Sequence, residues 1–352
     1  MKIPHMMKRD PEHLSPHQYI SPDYEQLQRV LTHTGRYMFR IATQQERRIG
    51  VGDLQREIDS EAGEYKKAEQ VVPPNAERYE AEAREFVAQL TGIDCEMPVN
   101  WPQSIDGGAF TGRFGGYHGV IEVADVKSQP GTDWATEHYI WMANVSILVH
   151  EMTHSTSILT RRVTAFDSPN SPAYTAGMMT TTVPSPEIVG QPYRKGIFLE
   201  EACAEEAAAR WRESVEPIRR QTDYYHQLLL SNGESLPWRY FQTQGPLDES
   251  STSYEVITYG WSNSAYCAEA VRLLSEHTGV DIFELMIMAR HPEYETEAKR
   301  AIVQTIEGVK RGLYKQLRDL EYNQEDFIKG LHLAIDAIQD DRRASETEEH
   351  VA

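Results

Sequence analysis

The sequence predicts a mostly helical α+β protein, with helical portions at both ends and a small antiparallel or mixed sheet between them. Three observations carry that reading. Apolar residues recur at helical spacing before residue 92 and again from Phe198 to about residue 340. Between them lies a segment rich in glycine, aromatic and β-branched residues that breaks the helical period. Directly after it comes "IWMANVSILVHEMTH", apolar enough to be a central helix.

The elements follow in order. Residues 1 to about 22, rich in Pro and His, read as an extended arm. In "SPDYEQLQRVLTHTGRYMFRIATQQERR", Leu27, Val30, Leu31, Tyr37, Met38 and Ile41 fit one face of a helix, with Ser21 or Asp23 as its cap. A polar helix is expected from Gly52 to Glu69, stopped by the prolines of "VVPPNAE". Asn75 can cap the next helix, which closes at Gly92. Residues 1–92 therefore form a helical N-terminal portion.

From residue 93 the character changes. Val120–Val123 is the clearest strand, and Gly107, Gly108, Gly112, Gly115, Gly116 and Gly119 punctuate the segment as hairpin turns do. They are no phosphate loop, since neither Lys-Ser/Thr nor a helix follows them directly. "DWATEHYIWMANVSILVHEMTHSTSILTRR" reads as a long helix in one or two pieces. Residues 161–196 are irregular, with a hairpin around Met178 to Val183. Helix returns at "FLEEACAEEAAARWRESVEPIRR". The middle unit spans 93–290, C-terminal helices occupy 291–340, and the polar tail 341–352 is expected to be disordered.

Composition narrows the function. The 352-residue chain is 40% hydrophobic and 25% charged, so it can bury a large core in one elaborate domain or in a few units. Its formal charge of -19, from 54 acidic and 35 basic residues, opposes nonspecific binding to nucleic acid or to an anionic membrane. No apolar run is long enough to span a bilayer, and the N-terminus carries no signal-like apolar segment. Cys95, Cys203 and Cys267 are few and odd in number, which fits a reducing compartment and a cytoplasmic location.

The chemistry concentrates in "VSILVHEMTHST". His150 and His154 are four apart, so on a helix they share a face and can bind one ion. Glu151 beside the first ligand can take a proton from water there. The alternative is a pair of satisfied core histidines. A tetrahedral site that keeps one open position needs a third protein ligand. His226, His277 and His291 sit among polar residues without a ligand-like pattern. The segment "GIFLEEACAEEAAAR" is more telling: Glu201 and Glu205 share a helix face, and its alanines admit a neighbouring helix closely. Glu201 would bind the ion and Glu205 would accept the second N–H of a ligating histidine. Glu200, about 100° around the helix, is the rival ligand.

"HEMTH" followed by "LEEACAE" resembles the signature of the gluzincin metallopeptidases, with Glu200 at the position of the family's Asn. The intervening segment is longer than in the tightest members of that group. The resemblance implies a zincin-like catalytic core holding Zn2+ through His150, His154 and Glu201, with Glu151 as general base and Glu205 as outer support. It also implies an oxyanion-stabilising phenol after the site. Tyr259, before Gly260 and a small-residue helix, matches that place, with Tyr254 and Tyr266 as alternatives. By the same analogy the glycine-rich strand offers a sheet edge for an extended peptide or protein substrate. His118 in "GGYHGV" reads first as a surface-turn histidine and only second as one that reaches the cleft from that edge. Cys203 on the Glu helix reads as a small buried thiol. The three motifs cover about 130 residues and leave out the N-terminal 90 and last 60. The rival readings are a catalytically inactive zincin-fold metal-binding protein and a helical interaction protein.

Overall fold

Two helices buried on nearly every side form the centre of the molecule. The computed structural model describes residues 37–41, 70–95, 97–105, 112–115, 120–128, 137–157, 159–163, 172–182, 193–215, 243–244, 257–258 and 263–351. The central pair is α2 (Glu137–Ser155), carrying the histidines, and α3 (Ile197–Ser214), carrying the glutamates. Both lack a polar stripe because each is covered all round. Alanines 202, 204, 207, 208 and 209 on α3 are buried, and these short side chains let the two backbones approach.

α1 (Ala76–Thr91) lies against the other side of α2, burying Tyr79, Ala83 and Val87 at helical spacing. Asn75 stands at its N-cap position without a capping side-chain bond, and Gly92 closes it in the left-handed conformation as expected. On the far side of α3 packs α4 (Asn263–Thr278), followed by α5 (Ile282–Met288), α6 (Glu295–Val309), α7 (Leu313–Arg318) and α8 (Gln324–Val351). One cluster of buried side chains runs from Ala76 to Ile338, so the sequence boundaries at 92 and 290 both fall inside a shared core. Leu148 and Leu274 are fully buried in it, and truncating either to alanine would cost about 2–5 kcal/mol.

Three small sheets accompany the helices. β2 (Val99–Asn100), β3 (Gly112–Gly115) and β4 (Val120–Val123) form a mixed sheet in the order β2-β4-β3. A second sheet joins β1 (Tyr37–Ile41), β5 (Leu159–Val163), β6 (Pro172–Ala176), β7 (Met179–Thr182) and β8 (Tyr193–Lys195) in that order. β1 pairs parallel with β5 and the rest are antiparallel. β9 (Thr243–Gln244) and β10 (Ile257–Thr258) make a short antiparallel pair.

The architecture is α+β and mostly helical, and it differs from the sequence reading at four places. Residues 161–196, read as irregular around one hairpin, also supply β6, β8 and most of β5, because cross-strand pairing orders them. Tyr37, Met38 and Ile41, assigned to a helix, lie in strand β1; so short and mostly apolar a run satisfies either period, and pairing with β5 decides it. The helix expected to reach Arg162 stops at Ser155. There the hydroxyls of Thr153, Ser155 and Thr156 bond back to the carbonyls of Val149, Met152 and Thr153, each at 2.7 Å, and Leu159 onward becomes a strand. The tail expected to be disordered is the end of α8, which continues to Val351. Arg343 pairs with Asp340 three residues before it at 3.1 Å, and Asp341 receives His277 at 2.8 Å. The proposed helix at 52–69 lies outside the described residues. Among the described residues no helix is long and apolar enough to cross a membrane.

Candidate metal centre

The four-residue spacing on α2 brings the imidazoles of His150 and His154 edge to face, with ring centroids 4.9 Å apart. Their Nε2 atoms are separated by 3.2 Å. Glu201 reaches across from α3 and completes a triangle: Oε2 lies 3.3 Å from His150 Nε2, and Oε1 lies 3.5 Å from His154 Nε2. A tetrahedral ion held by imidazole nitrogens at about 2.0–2.1 Å keeps them roughly 3.3 Å apart. The Nε2–Nε2 separation matches that spacing, Glu201 presents one carboxylate oxygen to each imidazole, and these three residues could hold a metal ion. The side chain of His150 is the most exposed of the three at 14%, so the triangle opens on its side.

Glu200 does not reach the triangle's centre. Its carboxylate stands behind His154, with Oε1 3.4 Å from Nδ1, while Glu205 Oε2 stands 3.5 Å behind Nδ1 of His150. Carboxylates only accept, so each can fix a tautomer with the proton on Nδ1 and the Nε2 lone pair turned to the centre. Ser264, at the start of α4, donates to Glu201 Oε2 at 2.7 Å and holds the third donor in place.

Glu151 is buried at 8% exposure and faces strand β3. A Cβ on Gly112 would come within 2.6 Å of both Glu151 Oε1 and Ile147 Cγ2, so only glycine allows this approach. The strand backbone thus lies directly on the carboxylate next to the donor triangle.

The charges form a coherent set. The buried carboxylates Glu151, Glu200, Glu201 and Glu205 face two buried guanidiniums, Arg212 and Arg290. Two negative charges remain, which a divalent cation would balance. Burial alone would push Glu201 up, but His150, His154 and Ser264 outweigh it and hold its carboxyl at about 2. Burial likewise opposes ionised Glu200, yet Arg290, His154 and the Met178 N–H bring it to about 2. His150 is raised well above the usual imidazole range: desolvation pulls it down, while Glu201, Glu205 and Glu151 more than compensate.

The other candidates fall elsewhere. Tyr259, Tyr254, His118 and His226 lie outside the described residues. Tyr266 is partly buried against the core on α4, His277 bonds Asp341, and His291 Nε2 meets the Thr91 carbonyl at 2.8 Å. Cys203 is a buried free thiol, pushed up to about 12 by burial. A groove of about 760 Å³ runs beside Glu206, Arg210, Arg272 and Phe283 and touches none of the donor residues.

Sequence reasoning missed Ser264, Arg290, Arg212 and Tyr322. Tyr322, in the turn before α8, packs edgewise on the buried ring of Phe327, with centroids 5.5 Å apart. Burial first, and then the charges of Glu201 and Glu151, raise its phenol. A cation closing an apolar run, as in "FELMIMAR", was the available signal for Arg290. Compared with protein-family models, curated proteins and solved structures, the chain matches none.

Proposed function

We propose that the chain is a zinc-dependent metallopeptidase of the gluzincin kind. The observation that carries this reading is the donor triangle of His150, His154 and Glu201 with Glu151 beside it and a strand lying on Glu151. Two nitrogens and one carboxylate oxygen suit zinc and leave a fourth position for water or substrate. When bound, the ion would supply Lewis acidity, acidifying water and polarising a carbonyl.

The chain's own residues supply the rest. Glu151 takes the proton from water as it attacks a peptide carbonyl and returns it to the departing amine. Glu201 and the two imidazoles would hold the ion, and Glu205 orients His150. Among the described residues β3 pairs with β4 alone, leaving an edge against which an extended substrate can align by main-chain hydrogen bonds. A phenol stabilises the oxyanion, and Tyr259 is the candidate from the motif.

The test is cleavage of a fluorogenic peptide library by zinc-loaded protein, wild type beside Glu151→Gln. The expected result is hydrolysis by wild type and none by the variant, both with one zinc bound. A variant that turns over normally removes Glu151 from the base role, and zinc-loaded wild type that cleaves nothing removes the peptidase.

A further inference from the structure

Behind His154 stands a pair of opposite charges sealed from solvent. Glu200 and Arg290 are each 1% exposed and meet at 2.8 Å through Oε1 and Nη2. The carboxylate is also held by Ser157, whose hydroxyl donates to Oε1 at 2.8 Å, and by the Met178 N–H, which donates to Oε2 at 3.0 Å. That N–H belongs to the β6–β7 turn, where Gly177 has φ +54 and a Cβ would collide with the Glu200 carboxylate. Arg290 spends its other donors on Thr156 Oγ1 at 3.1 Å and on the Met286 carbonyl at 3.1 Å. Three chain segments outside α3 therefore converge on one carboxylate, namely the end of α2, the hairpin turn and the end of α5.

A buried ion pair returns little stability over an apolar pair of equal volume, because both charges must be desolvated. What this pair does have is a fixed acceptor oxygen 3.4 Å from His154 Nδ1. We propose that Glu200 and Arg290 are positioning residues for the metal centre: Glu200 fixes the ring and tautomer of His154, and Arg290 acts only by holding Glu200. This rests on the metal-binding part of the reading above and not on the peptidase part. An acceptor anchored by three other segments cannot rotate with the imidazole, so the Nε2 lone pair keeps one direction.

The test is Zn2+ affinity by chelator competition, and the Co2+ absorption spectrum, for wild type, Glu200→Gln, Arg290→Met and the double variant, each checked for fold by circular dichroism. Glu200→Gln should weaken zinc about 10- to 100-fold and shift the cobalt bands, which a merely structural role would leave in place. Arg290→Met should weaken zinc similarly, and adding it to Glu200→Gln should cost nothing more. Wild-type affinity and spectrum in Glu200→Gln overturn the proposal, and so does further loss of zinc in the double variant. If Arg290→Met alone fails to fold, Glu200→Gln and the double variant, which removes both buried charges, still decide. Wild type that binds no zinc overturns this and the metal reading together, whereas zinc without hydrolysis overturns the peptidase alone.

Discussion

Behind His154, Glu200 receives Arg290, a serine hydroxyl and a backbone N–H from three separate parts of the chain. Behind His150, Glu205 receives Arg212 at 3.0 Å, and both of these residues sit on α3 itself. The two backings share a chemistry, imidazole to carboxylate to guanidinium. They differ in completeness. Arg290 uses Nε, Nη1 and Nη2, whereas Arg212 Nε is buried without a partner among the described residues. The difference also follows exposure, since Glu200 is 1% exposed and Glu205 is 6%. Glu200 thus ties His154 to the hairpin turn and the end of α5, while the Glu205–Arg212 pair ties His150 to α3, on the side where the centre meets solvent. A ligand pinned by distant segments is ordered before an ion arrives, so its ordering cost falls on folding and not on binding.

That contrast can be broken most sharply at the two arginines. Arg290→Met leaves an unpaired carboxylate in the core and should cost about 3–5 kcal/mol. Arg212→Met leaves Glu205 nearer to water and should cost on the order of 1–3 kcal/mol. Equilibrium denaturation of the two variants compares them, and equal losses would erase the distinction. Gly112→Ala sharpens it from outside, because it disturbs Glu151 and neither backing. It should lower turnover roughly 100-fold, as a small misplacement of a reacting group does, while zinc affinity stays at the wild-type value. Loss of zinc in Gly112→Ala would mean that β3 supports the ligands as well as the base.

How much of this the sequence revealed depends on how local each signal is. The closure of α1 at Gly92, strand β4 and the hairpin near Met178 follow from caps and turn residues that act within a few positions. The convergence of His150, His154 and Glu201 follows from two helical spacings and needs only that the helices meet. β1 was illegible because its residues fit a helix face as well as a strand, and its partner lies more than a hundred residues away. The stop after Ser155 was written in three hydroxyls whose back-bonding competes with further helix, a weaker signal than the apolar period running through it. Neither Glu200's place behind His154 nor its clasp by Arg290 could be read from spacing, since both depend on how α3 turns relative to α2 and α5. The sequence could name Glu200 and Glu201 as rivals; only the helix rotation tells which one faces the Nε2 atoms.

The central claim is that these three donors bind one ion, and zinc titration of metal-free wild type beside Glu201→Ala tests it most directly. The account predicts one tight equivalent per chain in wild type and its loss in the variant. Wild type that takes up no zinc, or a variant that binds it as tightly, would contradict the account.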